Sequence, residues 1–169
     1  MSNSIDFYHI DDKYIAFLNS KDRRVQYNKM EHRPYIGIVL KINGFDYFAP
    51  LESPKPNHHN IGGGGPVMKI DEGKLGIIGF NNMVPVKQIH LKEFDISQVQ
   101  DQKYQNLLVN QLIWCRKNAK DIFARAEATY RKETGGNIAF YKKNCCDFKN
   151  LEYWCQRYNP FYRKKKQNN

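Results

Sequence analysis

The stretch PYIGIVLKINGFDYFAPL, residues 34–51, decides the fold. Two runs rich in β-branched and aromatic residues flank Asn43-Gly44, the dipeptide that best tolerates the two positive φ angles of a tight type I′ turn. An antiparallel hairpin follows, half-buried because successive side chains in each run point to opposite faces. Upstream, FYHI (7–10) alternates as a strand, and Asp11 or Asp12 can cap a helix running to about Leu18, with Tyr14, Phe17 and Leu18 on one face. Downstream, PVMKI (66–70), the turn DEGK (71–74) and LGIIGF (75–80) predict a second hairpin, and MVPV (83–86) with IHLKEFDI (89–96) adds one or two strands.

Beyond residue 100 the apolar period changes. From Tyr104 to Tyr130, Leu107, Leu108, Leu112, Cys115, Ile122, Phe123 and Ala126 recur at helical spacing, as one long helix or two joined near Asn118. Gly135-Gly136 ends this segment. Asp147 can cap a last helix whose Phe148, Leu151, Cys155 and Tyr158 form a stripe, and the basic tail RKKKQNN lies beyond Pro160. These elements predict one α+β domain over residues 1–169: a compact, curved antiparallel sheet with helices mostly in the C-terminal half, and a flexible tail from about residue 160.

A chain of 169 residues removes roughly 70% of its unfolded surface from water, so disulfides are not needed to stabilise it. The first ten residues are mixed polar, and no apolar run approaches the ~20 residues a bilayer requires. We therefore expect a cytoplasmic protein, without membrane contact, whose thiols at 115, 145, 146 and 155 are reduced and buried. Their CC-x8-C spacing is a poor zinc signal, and neither metal nor cofactor is expected. Charge is more telling. Lys and Arg number 27 against 17 Asp and Glu, a net +10, and eleven Tyr and ten Phe can supply stacking rings. The balance points to an anionic partner, nucleic acid above all.

The loop leaving the first hairpin, ESPKPNHHNIGGGGP (52–66), holds more polar chemistry than folding asks for. Its four glycines lack the flanking strand and GK[ST] of a phosphate-binding loop, which speaks against a nucleotide triphosphate. RNA, however, carries its own nucleophile. A protein that lets the 2′-hydroxyl attack the adjacent phosphate needs only a base, an acid for the leaving oxygen, and cations for the developing charge. Ser53 can donate to a phosphate oxygen, Lys55 can neutralise or protonate, and Arg33 can grip a phosphate through its fork. His58 and His59 start near the right pKa, about 6.5.

The segment RPYIGIVLKINGFDYFAPLESPK (33–55), the start FYHIDDKYIAFL (7–18) and GKLGIIGFNNMVPV (73–86) together resemble the ToxN/AbiQ family of type III toxin–antitoxin endoribonucleases. The likeness is firm from about residue 6 to 115 and weaker through the last helices. It implies a MazF/Kid/CcdB-like sheet, of the SH3-like barrel type, with added helices. It also implies metal-independent cleavage of RNA at A-rich sites, leaving a 2′,3′-cyclic phosphate and a 5′-hydroxyl. The inhibitor is implied to be a repeat pseudoknot RNA, processed by the toxin and assembled with it into a closed ring; growth arrest or abortive phage infection follows. The family's Ser and Lys fall on Ser53 and Lys55, and its basic residue before the strand falls on Arg33. For an upstream Tyr of the site, Tyr27 and Lys29 are both candidates. RNA contacts are expected from Lys29, Arg33, Tyr35, Glu52, Lys55, His58, Arg116 and Lys117. The chain departs from the family pattern where Lys is replaced by Arg33, which binds phosphate rather than moving protons, and where Thr is replaced by Glu52. Glu52 puts an anion beside the phosphate site, where it either orients Lys55 or points away. A non-catalytic RNA-binding module is the alternative reading.

Overall fold

The computed structural model describes residues 4–28 and 32–161. Asn43 and Gly44 adopt φ of 52° and 80°, the pair of positive values that a type I′ turn requires. They join β2 (Tyr35–Ile42) to β3 (Phe45–Glu52). Pairing runs in register from Ile42↔Phe45 to Leu40↔Tyr47, then resumes at Gly37↔Phe48 and ends at Tyr35↔Pro50. Ile38 and Val39 are thus bulged out of the ladder, and an intact register would have put Tyr35 opposite Glu52 instead. Gly37 is obligatory at this bulge, since a Cβ there would lie 2.2 Å from the Phe48 ring.

The remaining strands are β1 (Asp6–Ile10), β4 (Val67–Lys69), β5 (Ile77–Gly79), β6 (Val84–Pro85) and β7 (Leu91–Glu93). Together they make a seven-stranded antiparallel sheet in the order β4-β5-β3-β2-β1-β7, with β6 also paired to β3. Four longer helices begin or follow as the sequence predicts. The carboxylates of Asp11, Asp101 and Asp147 accept from backbone N–H groups in the first turns of α1 (Asp12–Lys21), α2 (Gln102–Lys117) and α5 (Phe148–Arg157), each cap contributing about 1 kcal/mol. α3 (Ala119–Thr134) follows α2 after a break at Asn118, so the long periodic segment is two helices. α1 extends three residues past Leu18, and a short helix α4 (Ala139–Asn144) is one that periodicity did not foretell. The basic tail from 162 onward and Lys29 lie outside the described residues.

α3 packs on β2, α5 packs on β6, and α1 packs on α5. Between them lie Tyr14, Tyr35, Tyr47, Phe7, Phe48, Phe80 and Phe148, all fully buried, each worth roughly 1.5–3 kcal/mol of burial. The polar ends of two core rings are not orphaned: Tyr47 and Tyr130 both donate to Glu152 Oε1, at 2.7 and 2.6 Å. All four cysteines are free and buried. Burial pushes the Cys115 thiol up to about 12, so it is protonated near neutrality and packs as a small apolar group.

Candidate active site

An antiparallel hairpin brings the residue before its first strand next to the residues after its second. Arg33 and Pro34 precede β2, Ser53 to Lys55 follow β3, and the two segments meet: Leu51 N–H donates to Pro34 O at 2.9 Å. A cleft of about 360 Å³ opens there, lined by His32, Arg33 and Pro34 on one side and Leu51, Glu52, Ser53 and Lys55 on the other. Tyr104 and Gln111 of α2 close it. Gly76 is needed behind this wall. Its φ is +102°, and a Cβ would fall 1.9 Å from the Glu52 carbonyl oxygen, so only glycine lets the β5 entry approach the end of β3.

Within the cleft the charges are mutually ordered. Lys55 Nζ donates to Glu52 Oε2 at 2.9 Å, which answers the question Glu52 raised: it orients Lys55. Glu52 is also reached by Gln26 Nε2 at 3.4 Å. Burial pushes the Glu52 carboxyl up, but the hydrogen bond and charge of Lys55, with Gln26 and Arg33, outweigh it and hold the group below the usual carboxylate range. Arg33 is only 8% exposed and is anchored by Nε donating to Tyr27 O at 2.9 Å and by its own N–H to Asn28 O at 3.2 Å. Two cations and one carboxylate therefore share the cleft, with the Ser53 hydroxyl beside them.

Lys55 is followed by a 3₁₀ turn, Pro56–Asn60. His58 is its buried underside, 2% exposed. The Lys55 backbone N–H donates to His58 Nδ1 at 3.2 Å, the His58 N–H returns to Lys55 O at 3.0 Å, and Nε2 lies 3.9 Å from Glu52 Oε2. Burial, with Lys55 and His59 adding to it and Glu52 opposing, holds the imidazole below its ordinary pKa, so it is neutral near pH 7 and accepts from Lys55. Beyond the turn the glycine run does not hang free at its far end: Arg125 Nη1 donates to Gly65 O at 2.9 Å.

Arg33, Glu52, Ser53 and Lys55 are thus brought together, and Tyr27 adjoins them through its carbonyl while its side chain is exposed. Four other expected RNA contacts are placed elsewhere. Tyr35 is 1% exposed and Ile36 beside it 0%; both faces of β2 are covered at this end, where the sequence predicts a half-buried strand, so the Tyr35 ring is in the core rather than on RNA. His58 is likewise covered and acts on Lys55 from behind. Arg116 Nε donates to Ile5 O at 3.0 Å, with Asp6 at 3.8 Å; this is the end of β1 beside Gly37, not the end beside Tyr35 where the cleft lies. Lys117 is exposed at the end of α2. Sequence reasoning missed Gln26, Tyr104 and Gln111. For Gln111 a signal existed, a polar residue in line with Tyr104, Leu108 and Cys115 on the buried face of α2.

The fold and cleft define an α+β protein with cations, a hydroxyl and a carboxylate gathered at the mouth of its central hairpin, a set suited to an anionic phosphodiester. Residues 6–156 match the family described as toxin ToxN of type III toxin–antitoxin systems. Among relatives, endoribonuclease ToxN of Bacillus thuringiensis subsp. kurstaki is 35% identical over 161 residues, covering 90% of this chain and 83% of that protein. Endoribonuclease AbiQ of Lactococcus lactis subsp. lactis is 29% identical over 160 residues, covering 88% and 86%. Two solved structures superpose closely. A toxin selectively inhibited by a non-coding RNA pseudoknot gives a TM-score of 0.78 at 34% identity, covering 92% of this chain and 98% of that one. The lactococcal anti-phage endoribonuclease AbiQ gives 0.79 at 28%, with the same coverage. The chain belongs to the ToxN family of type III toxin–antitoxin toxins, and it is an endoribonuclease.

Proposed function

We propose that this protein cleaves RNA at A-rich sites without a metal ion, by attack of the ribose 2′-hydroxyl on the adjacent phosphate. The bond to the 5′ oxygen breaks, leaving a 2′,3′-cyclic phosphate and a 5′-hydroxyl. The observation that carries this reading is the convergence of Arg33, Ser53 and Lys55 on one cleft, with Lys55 aimed by Glu52. Arg33 and Lys55 balance the charge that grows on the phosphate oxygens, and Ser53 donates a hydrogen bond to one of them. Such groups stabilise the transition state more than the ground state, because the phosphorane carries the larger charge.

The same cleft takes the antitoxin. A relative of this fold is inhibited by an RNA pseudoknot, and we extend that to a repeat RNA that this toxin processes and that then blocks it, in a closed ring of alternating protein and RNA. Free toxin cuts cellular or phage messages in the cytoplasm, arresting growth or aborting infection; AbiQ is itself an anti-phage enzyme. Among the described residues no helix is long and apolar enough to cross a membrane.

The test is cleavage of a mixed-sequence RNA in excess EDTA, with end analysis of the products. Full activity and cyclic phosphate ends are expected, and a 2′-deoxy substitution at the cut position should abolish that cut. Activity lost to EDTA and restored by a divalent ion would show that a metal is required, and cutting at the deoxy position would show that another nucleophile is at work. Tight binding that leaves RNA intact would favour the binding-module alternative.

A further inference from the structure

Gln111 stands on the face of α2 that otherwise enters the core. Leu108 and Cys115, a turn before and a turn after it, are 0% exposed, and Gln111 is 2% exposed. An amide in such a place is costly unless both its ends are partnered. One end is: Nε2 donates to Leu75 O at 2.7 Å. Because a carbonyl oxygen can face only the N–H side of an amide, that bond fixes which way round the group sits. The other end, Oε1, has no hydrogen-bond partner among the described residues. The side chain lines the same cleft as Arg33, Lys55 and Tyr104.

We propose that Gln111 reads a nucleobase: its Oε1 accepts a hydrogen bond from the exocyclic amine of an adenine, cytosine or guanine held next to the phosphate at Arg33 and Lys55, and so disfavours uracil. Tyr104 supplies the neighbouring ring surface against which the base packs. This subsite rests on the RNA-cleaving reading above and adds a selectivity to it. The polarity of the wall selects the class of base. Leu75 O is taken up by Gln111 Nε2, so the group left over at this point is the acceptor Oε1, which favours a base edge that presents a donor. The amines of adenine N6, cytosine N4 and guanine N2 project beyond the ring as donors, whereas uracil has no amine and flanks its single N–H with two carbonyls. A carbonyl pressed against this wall would meet oxygen with oxygen. A site built around a buried acceptor rejects a ligand lacking the donor more strongly than an apolar pocket would, because the acceptor is then left unpaired.

The experiment maps cut positions in a mixed-sequence RNA and then uses a short oligonucleotide spanning one of them. The amino base at each position flanking the cut is replaced by its desamino analogue, purine riboside for adenosine, pyrimidinone riboside for cytidine or inosine for guanosine. For the wild-type protein, kcat/KM is expected to fall about tenfold or more at one flanking position. Gln111→Met keeps the volume and removes the acceptor; it should lose a similar factor on the normal substrate and be indifferent to the analogue. Should that variant not fold, the wild-type comparison alone decides. The subsite is overturned if wild type cuts amino and desamino substrates equally at both positions, if cuts are flanked only by uracil, or if Gln111→Met remains as sensitive to the analogue as wild type. Cleavage with any of these results leaves the proposed function standing; a protein that cuts no RNA removes the function and the subsite with it.

Discussion

Glu52 lies 2.9 Å from Lys55 Nζ and within reach of Gln26, so the ammonium is already held where a phosphate oxygen would need it. A carboxylate with one negative charge spread over two oxygens resembles the two non-bridging oxygens of a phosphodiester, and RNA entering the cleft exchanges one anion for another at Lys55. Pre-ordering of this kind reduces the reorganisation left for the transition state. Ser53 and Lys55 are both exposed, and truncating either opens no cavity in the core. Ser53→Ala and Lys55→Ala should therefore each lower kcat by roughly a hundredfold or more, and leave the Tm where it was. Single-turnover cleavage and thermal denaturation on the same preparations check this; unaltered kcat in both variants would remove the two residues from the chemistry.

The element that holds Lys55 is the Pro56–Asn60 turn, and His58 is its anchor, joined to Lys55 by a reciprocal pair of hydrogen bonds. The buried imidazole titrates below its ordinary value of about 6.5, chiefly through burial. Above the unfolded pKa both states are neutral and the contribution of the turn is fully present. As pH falls below about 6.5 the unfolded chain takes up a proton that the folded chain refuses, and stability declines until the folded pKa is passed. Urea unfolding should thus show a lower midpoint at pH 5.5 than at pH 7.5. His58→Asn can still accept from the Lys55 N–H through its side-chain oxygen, and should flatten part of that difference, the remainder coming from His90, which burial also shifts down. A pH difference identical in the variant would show that His58 is not its source. Chain-local chemistry explains α1, α2 and α5 through Asp11, Asp101 and Asp147. It does not explain α4, a six-residue helix too short for periodicity to stand out.

At the scale of the molecule, the function proposed above has the net charge of +10 gather RNA and the cleft decide where it is cut. Inhibitor RNA that occupies the cleft should behave as a competitor of substrate. Release of counterions from six or more phosphates makes its affinity fall by roughly 10³ or more between 50 and 200 mM salt. Titration of the repeat RNA against wild type and Lys55→Ala over a salt series checks both points. A flat salt slope, or inhibition that leaves substrate binding unaltered, would place the antitoxin elsewhere on the protein.

The hairpin, its Asn43-Gly44 turn, the caps of α1 and α5, the buried thiols and the nearness of Arg33 to Ser53 and Lys55 were legible in the sequence. Each depends on neighbours a few residues apart or on an antiparallel pairing that the turn itself imposes. Four things were decided by tertiary structure. The bulge at Ile38-Val39 carries Glu52 past the start of β2, and no local propensity announces it. Tyr35 is in the core because both faces of β2 are covered where it begins, Tyr35 and Ile36 being buried alike. His58 is covered because its turn folds back on Lys55, although its charge and position in the loop suggested a surface group. Gln111, to which the sequence reading assigned no role, becomes part of the cleft because α2 packs across the mouth of a hairpin some seventy residues earlier in the chain. Sequence carries the short-range terms of the free energy openly; which polar groups end up facing one another depends on packing between distant segments, and that is resolved only when the sheet and helices close on each other.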